Sequence, residues 1–287
     1  MNFRLGKKLY GQDARLVMAI VNRTTDSFYD KGATWEDEPA YARVRQVVAD
    51  GADLVDIGGI KAAPGEEVPV EEELRRVLPF VQGIRDEHPD LTISVDTYRA
   101  EVADAVLAAG ADVINDAWGG SDPELPNVVA AHGASMVLTH TGGVTVRTRP
   151  HRIEYDDVVA SVIESLNWQA ERALGAGVER DRIVIDPAHD FGKNTWHSLE
   201  CTRRLDELVA LGWPVLVSLS NKDFVGESLD RLVGERLSGT LATTAISAWQ
   251  GAHIYRVHET RETRDVLDMV STIAGLRPPQ RVIRGLA

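Results

Sequence analysis

With 287 residues and a formal net charge of −13, the chain is long enough for one large α/β domain with a substantial core. It is too acidic for a general nucleic-acid or anionic-membrane surface, which needs an excess of Lys and Arg, so a small molecule is the expected partner. Cys201 is the only cysteine, which excludes an intrachain disulfide and a cysteine-based zinc cluster. The opening MNFRLGKKLYGQ lacks the uninterrupted apolar segment of a signal peptide, and no later run approaches the roughly 20 apolar residues that span a bilayer. No Pro, Gly or Ser tract marks a linker. Residues 1–287 are therefore expected to form a single domain of a cytoplasmic protein that engages neither nucleic acid nor membrane.

Short β-branched runs alternate with longer segments of helical period. The predicted strands lie near Leu16–Val21, Leu54–Ile57, Thr92–Val95, Val113–Asn115, Ser135–Leu138, Ile183–Asp186, Val215–Ser218 and Ile254–Val257. Eight such units predict a closed (β/α)8 TIM barrel. The junctions Gly51-Ala52-Asp53, Gly110-Ala111-Asp112, Gly133-Ala134 and Gly251-Ala252-His253 each set a glycine between a helix and the next strand, where the left-handed conformation ends the helix. A doubly wound open sheet is the rival, but no G-x-G-x-x-G follows the first strand.

In such a barrel the strand C-termini build the site, and here they are polar: Asn22 with Asp26, Asp56, Asp96, Asn115 with Asp116, His140, Asp186 with His189 and Asp190, Ser220 with Lys222, and Arg256 with His258. A lone Asp at a strand end more often caps a helix or bonds loop amides, and Asp56 is read that way. Asp96, Asn115, Asp186, Lys222 and Arg256 converge from different strands on one mouth. Carboxylates and a carboxamide suit a flat heterocycle with several N–H donors, such as an aminopyrimidine. Arg256, His258 and Asn22 suit a phosphate leaving group, with Asn22 as a metal-ligand oxygen. His253, before its strand, belongs to the far face.

These stretches resemble the dihydropteroate synthase family. The likeness rests on MAIVNRTTDSFYDKG, GADLVDIGG, SVDTYRAEVADAVLAAGADVINDAWG, IDPAHDFGKN, LSNKDFVG and GTLATTAISAWQGAHIYRVHE. It implies a pterin-binding barrel in which Asp96, Asn115, Asp186 and Lys222 hold the pterin, and Asn22, Arg256 and His258 serve the pyrophosphate and its Mg²⁺. In that family pyrophosphate leaves and the pterin-methylene cation meets the amine of p-aminobenzoate. The resemblance also implies a homodimer through the last helices, with Leu241–Trp249 as a candidate contact.

The departures gather on the acceptor side. The family's D-I-G-G-E-S-T-R-P-G reads Asp56-Ile57-Gly58-Gly59-Ile60-Lys61-Ala62-Ala63-Pro64-Gly65, so Ala62 and Ala63 stand where a hydroxyl and a guanidinium are expected, and Lys61 keeps a charge without the planar fork. S-R-K-S reads Ser220-Asn221-Lys222-Asp223, which brings an anion to a helix start that faces the aminobenzoate carboxylate. G-F-G-K reads Asp190-Phe191-Gly192-Lys193, and V-T-P-D reads Arg23-Thr24-Thr25-Asp26, without its proline. The leading expectation is a diverged paralogue that keeps the pterin and pyrophosphate pocket with little or no condensation activity. The alternatives are an active synthase with rebuilt loops, a pterin-type transferase with a neutral or cationic acceptor, for which Asp190 and Asp223 argue, and a dimeric ligand-binding or interaction scaffold. A methyltetrahydrofolate-binding methyltransferase fits Arg256 and His258 less well. The basic stretch Arg147–Arg152 is read as a solvated loop.

Overall fold

The chain begins with an element that the strand pattern did not announce, a hairpin of β1 (Phe3–Leu5) and β2 (Lys8–Tyr10). Its tight turn needs Gly6, at φ 59°, and a Cβ there would meet Asp112 at 2.5 Å. Phe3 and Leu5 are buried and close the bottom of a barrel. The structure, a computed structural model, describes residues 1–24, 36–60, 65–144, 146–147 and 153–284.

The eight predicted strands all form, as β3 (Leu16–Asn22), β4 (Leu54–Gly58), β5 (Thr92–Asp96), β6 (Val113–Asp116), β7 (Ser135–Thr139), β8 (Ile183–Asp186), β9 (Leu216–Val217) and β10 (Ile254–Val257). They pair in parallel in the order β8-β7-β6-β5-β4-β3-β10-β9, and the bridge between Ile185 and Val215 joins the two ends. This is the (β/α)8 barrel. The described helices between and after the strands are α1 (Asp37–Ala49), α2 (Val70–Glu87), α3 (Ala100–Ala108), α4 (Leu125–Ala131), α5 (Val158–Gly175), α6 (Thr195–Arg203), α7 (Leu205–Val209), α8 (Asp223–Leu229), α9 (Leu237–Trp249) and α10 (Thr260–Ile273).

Side-chain alternation divides the strands into two layers of core. Met18, Leu54, Val113, Val137, Val184, Leu216 and Ile254 point inward and pack on Phe3 and Leu5. Their neighbours, such as Val55, Ile93, Ile114, Leu138 and Ile185, point outward and pack against helix residues including Val44, Phe80 and Val106. The predicted junction glycines behave alike: Gly51, Gly110, Gly133 and Gly251 all have positive φ. At Gly110 the Gly110 N–H bonds Leu107 O and the next N–H, of Ala111, bonds Val106 O, which turns the chain sharply into β6.

Behind two of these glycines the aspartate also has a task. Asp53 accepts the Val17 N–H at 2.8 Å and Arg264 at 3.0 Å; Asp112 accepts the Ile93 N–H at 2.9 Å and Arg85 at 2.6 Å. The bottom face is thus tied together by side chain to backbone bonds. His253 belongs to that face as expected, buried and 3.2 Å from the Val215 N–H through Nδ1. Cys201 is buried in α6. Among the described residues no helix is long and apolar enough to cross a membrane.

Candidate ligand pocket at the barrel mouth

Above the inward apolar layer, the same alternation turns polar side chains into the mouth. Asp56 on β4 lies at the centre of the network and is fully buried. It accepts Ser94 Oγ at 2.6 Å, Asn115 Nδ2 at 3.2 Å and Arg256 Nε at 2.6 Å. Asp56 therefore neither caps a helix nor bonds loop amides, contrary to its expected structural role. The sequence signal was available: Asp56 follows inward Leu54 by two residues, so period two places it inside.

Arg256 also reaches Asp96 Oδ2 at 3.3 Å, so one guanidinium bridges two carboxylates. Burial pushes Asp96 up to about 8 against the pull of Arg256, with Asp56, Glu73 and Asp116 pushing the same way. Asn115 donates its amide to Asp56, which leaves its carbonyl as the end that can accept from a ligand. Asp186 sits on β8, with one oxygen on the Ala188 N–H at 2.7 Å; burial lifts it to about 6. Asp116 points the other way and ties its own loop through the N–H groups of Trp118 and Gly120.

The loop after β8 is organised by Lys193. Its ammonium bonds His140 Nδ1 at 2.7 Å and the carbonyls of Phe191, Ala188 and His140 at 3.0, 3.2 and 3.3 Å. Burial and Lys193 lower His140 to about 3, so it accepts as a neutral ring. Phe191 is presented at the mouth between the edge of Trp118, with centroids 5.8 Å apart, and the ammonium of Lys222, 4.8 Å from its ring centre.

Asp190 is turned away from any free position. It accepts Ser198 Oγ at 3.0 Å and the Phe224 N–H at 3.3 Å, so it occupies an amide in the first turn of α8. Asp223, at the start of that helix, pairs with Arg236 at 2.9 Å. Asp190 is thus committed to donors of the protein, and Asp223 to an ion pair in which it stays largely exposed. This weakens the case for a cationic acceptor.

Ser220 and Asn221 are pinned as well. Ser220 Oγ lies 2.8 Å from both His258 Nδ1 and Glu259 Oε2, and Asn221 Nδ2 donates to Glu259 Oε1 at 2.6 Å. Asn221 adopts φ 57°, and Arg236 holds its carbonyl at 2.8 Å. Burial, with Arg256, Arg43 and Lys222, drops His258 to about 3, so the ring is neutral in the unliganded protein. Glu259, absent from the expected set, is the residue that ties Ser220 to Asn221. Asn22 ends β3 with its Oδ1 beside Gly58, where an added Cβ would make an ordinary contact at 3.5 Å. The expected acceptor residues Lys61, Ala62 and Ala63 lie outside the described residues, as do Asp26 and most of the stretch after Arg147.

One side of the mouth thus offers acceptor oxygens from Asp96, Asn115 and Asp186, with the ammonium groups of Lys222 and Lys193 acting on Asp186. This arrangement and the barrel define a pterin-binding type of protein, and the sequence comparison agrees: the pterin binding enzyme family model matches residues 18–258. The chain belongs to that family and is a diverged homologue of dihydropteroate synthase. It is 56% identical over 279 residues to inactive dihydropteroate synthase 2 of Mycobacterium tuberculosis, covering 96% of this chain and 88% of that protein. Dihydropteroate synthase of Bacillus subtilis is 36% identical over 264 residues, with 91% of this chain and 90% of that one covered. A Yersinia pestis dihydropteroate synthase solved with a sulfonamide drug superposes with a TM-score of 0.89 at 32% identity, covering 96% of this chain and 100% of that one.

Proposed function

We propose that this chain binds a pterin-type ligand through Asp96, Asn115, Asp186 and Lys222 and has little or no capacity to condense dihydropterin pyrophosphate with p-aminobenzoate. The observation that carries the proposal is Asp190: its carboxylate takes the Phe224 N–H of α8, on the helix start that serves the aminobenzoate carboxylate in the family. A second carboxylate arriving there meets an occupied amide and a like charge. Asn221, bound to Glu259 and Arg236, holds the neighbouring loop in a conformation of its own. The M. tuberculosis relative's name, an inactive synthase, supports the same reading.

The chemistry of the pterin side is recognition. A ring with an amino group and ring N–H donors matches three acceptors, and the buried surroundings strengthen each bond by excluding water. Magnesium fits in a limited way. No cluster of three His, Cys, Asp or Glu suited to a metal gathers among the described residues, so Asn22 would supply one oxygen and the pyrophosphate the others. The ion would neutralise the departing phosphate charge. Arg256 serves that end only by loosening from Asp56 or Asp96.

We read the partner as a second copy of this chain, docked through α9 and α10. Ile246 and Trp249 on α9 and Met269 and Ile273 on α10 are half or more exposed, an apolar face that association would cover. The cytoplasm is the expected compartment. The test of the main reading is calorimetric titration with dihydropterin pyrophosphate followed by a turnover assay with p-aminobenzoate. Binding without product supports it; turnover at a synthase's rate removes it.

A further inference from the structure

Around the mouth, Asp56, Asp96 and Asn115 already have protein partners. Thr139 does not. It ends β7 two residues after Val137, which belongs to the inward apolar layer, so alternation turns the Thr139 side chain into the barrel. Outward Leu138 between them packs with the helices, as that alternation requires. In register Thr139 lies beside Asp186.

Thr139 is only 3% exposed, and its Oγ1 is buried with no hydrogen-bond partner among the described residues. A buried hydroxyl without a partner is costly, and a pocket is one of the few places where a protein keeps one. The strand end itself is firmly held: Gln169 of α5 donates to the Thr139 carbonyl at 3.1 Å. The backbone that carries the hydroxyl is therefore fixed, and because Oγ1 is fully covered in the unliganded chain, a ligand reaches it only as the neighbouring side chains move aside.

We infer that Thr139 is a ligand-contacting residue of this pocket, its hydroxyl bonding the same edge of a bound pterin-type ring that Asp186 reads. The inference rests on the proposed pterin binding and adds a specificity element to it. A carboxylate only accepts, whereas a hydroxyl also donates. Side by side, Asp186 and Thr139 match a ring edge with an N–H next to a carbonyl oxygen.

The experiment compares the full-length chain with Thr139→Val and Thr139→Ser. Each is titrated calorimetrically with dihydropterin pyrophosphate, and each unliganded protein is melted. Thr139→Val keeps the shape and removes the hydroxyl, so affinity is expected to fall about tenfold while the unliganded melting temperature stays or rises. Thr139→Ser, which restores a hydroxyl, is expected to bind within about threefold of the parent. Unchanged affinity in Thr139→Val overturns the contact, as does an affinity loss matched by a lower unliganded melting temperature. If the parent chain binds no pterin, the pterin reading fails first and the contact falls with it.

Discussion

Asp190 accepts the backbone N–H of Phe224 at 3.3 Å, so a carboxylate from the β8–α6 loop occupies the first turn of the helix that Asp223 begins. Asp223 itself faces Arg236 and remains largely exposed. The two acidic departures from the family pattern therefore do different things. One fills an amide; the other sits on the rim.

The difference is measurable. Asp190→Ala is expected to lose about 1 kcal/mol in urea unfolding, as for loss of a helix cap. Asp223→Ala, losing a rim ion pair, is expected to cost roughly half of that or less. Equal losses would mean that Asp190 is not the capping group.

Asp56 is the junction of Ser94, Asn115 and Arg256. Asp56→Asn keeps the volume but removes the charge opposite a largely buried guanidinium, and Asp96 compensates in part. A loss of about 3 kcal/mol is expected, read from the urea midpoint. Wild-type stability in this variant would show that the barrel centre does not depend on the ion pair.

The pH dependence follows from Asp96. Its native value of about 8 exceeds the unfolded value of roughly 3.9, so the native state holds the proton more tightly. Its contribution to stability is complete below about pH 4 and is lost as pH rises through about 8. Between pH 7 and 8 His140, His189 and His258, near 3, are already neutral, and Asp116 and Asp186, near 6, are already largely ionised; Lys193, lowered to about 8, titrates in the same window in both proteins, so the comparison with Asp96→Asn removes its contribution. Over that interval the parent chain is expected to lose roughly 1 kcal/mol relative to Asp96→Asn. A constant difference between the two proteins would contradict the raised value.

Much of the fold is readable from the chain because β-branched runs recur eight times and junction glycines precede four of them, and local rules do not need long-range information. The hairpin at Phe3–Tyr10 escapes that reading. Its strands are three residues long, and its reason to exist, a barrel bottom to close, appears only after the barrel is built. The strand-end polar residues are also readable, since chain order alone sends Asp96, Asn115, Asp186, Lys222 and Arg256 to one mouth. What they do to one another is not. Whether Asp56 pairs with Arg256, or Asp190 reaches Phe224, depends on side-chain reach across strands that lie far apart in sequence. Thr139 is missed for the same reason, as only the finished barrel shows that its hydroxyl has no hydrogen-bond partner among the described residues.

The exposed face of α9 and α10 makes its own demand. If a second copy covers it, Trp249→Glu and Ile246→Glu are expected to shift sedimentation equilibrium from dimer to monomer. A parent chain that sediments as a monomer at micromolar concentration would assign the face elsewhere.

The most direct measurement is paired: calorimetric titration of the parent chain with dihydropterin pyrophosphate, then product formation after addition of p-aminobenzoate and Mg²⁺. The expected result is saturable binding of the pterin, weakened by Lys222→Met or Asp186→Asn, with no dihydropteroate formed above the uncatalysed rate. Dihydropteroate formation at the rate of a working synthase, or no pterin binding at all, would contradict a pocket that keeps its first substrate and has lost its second.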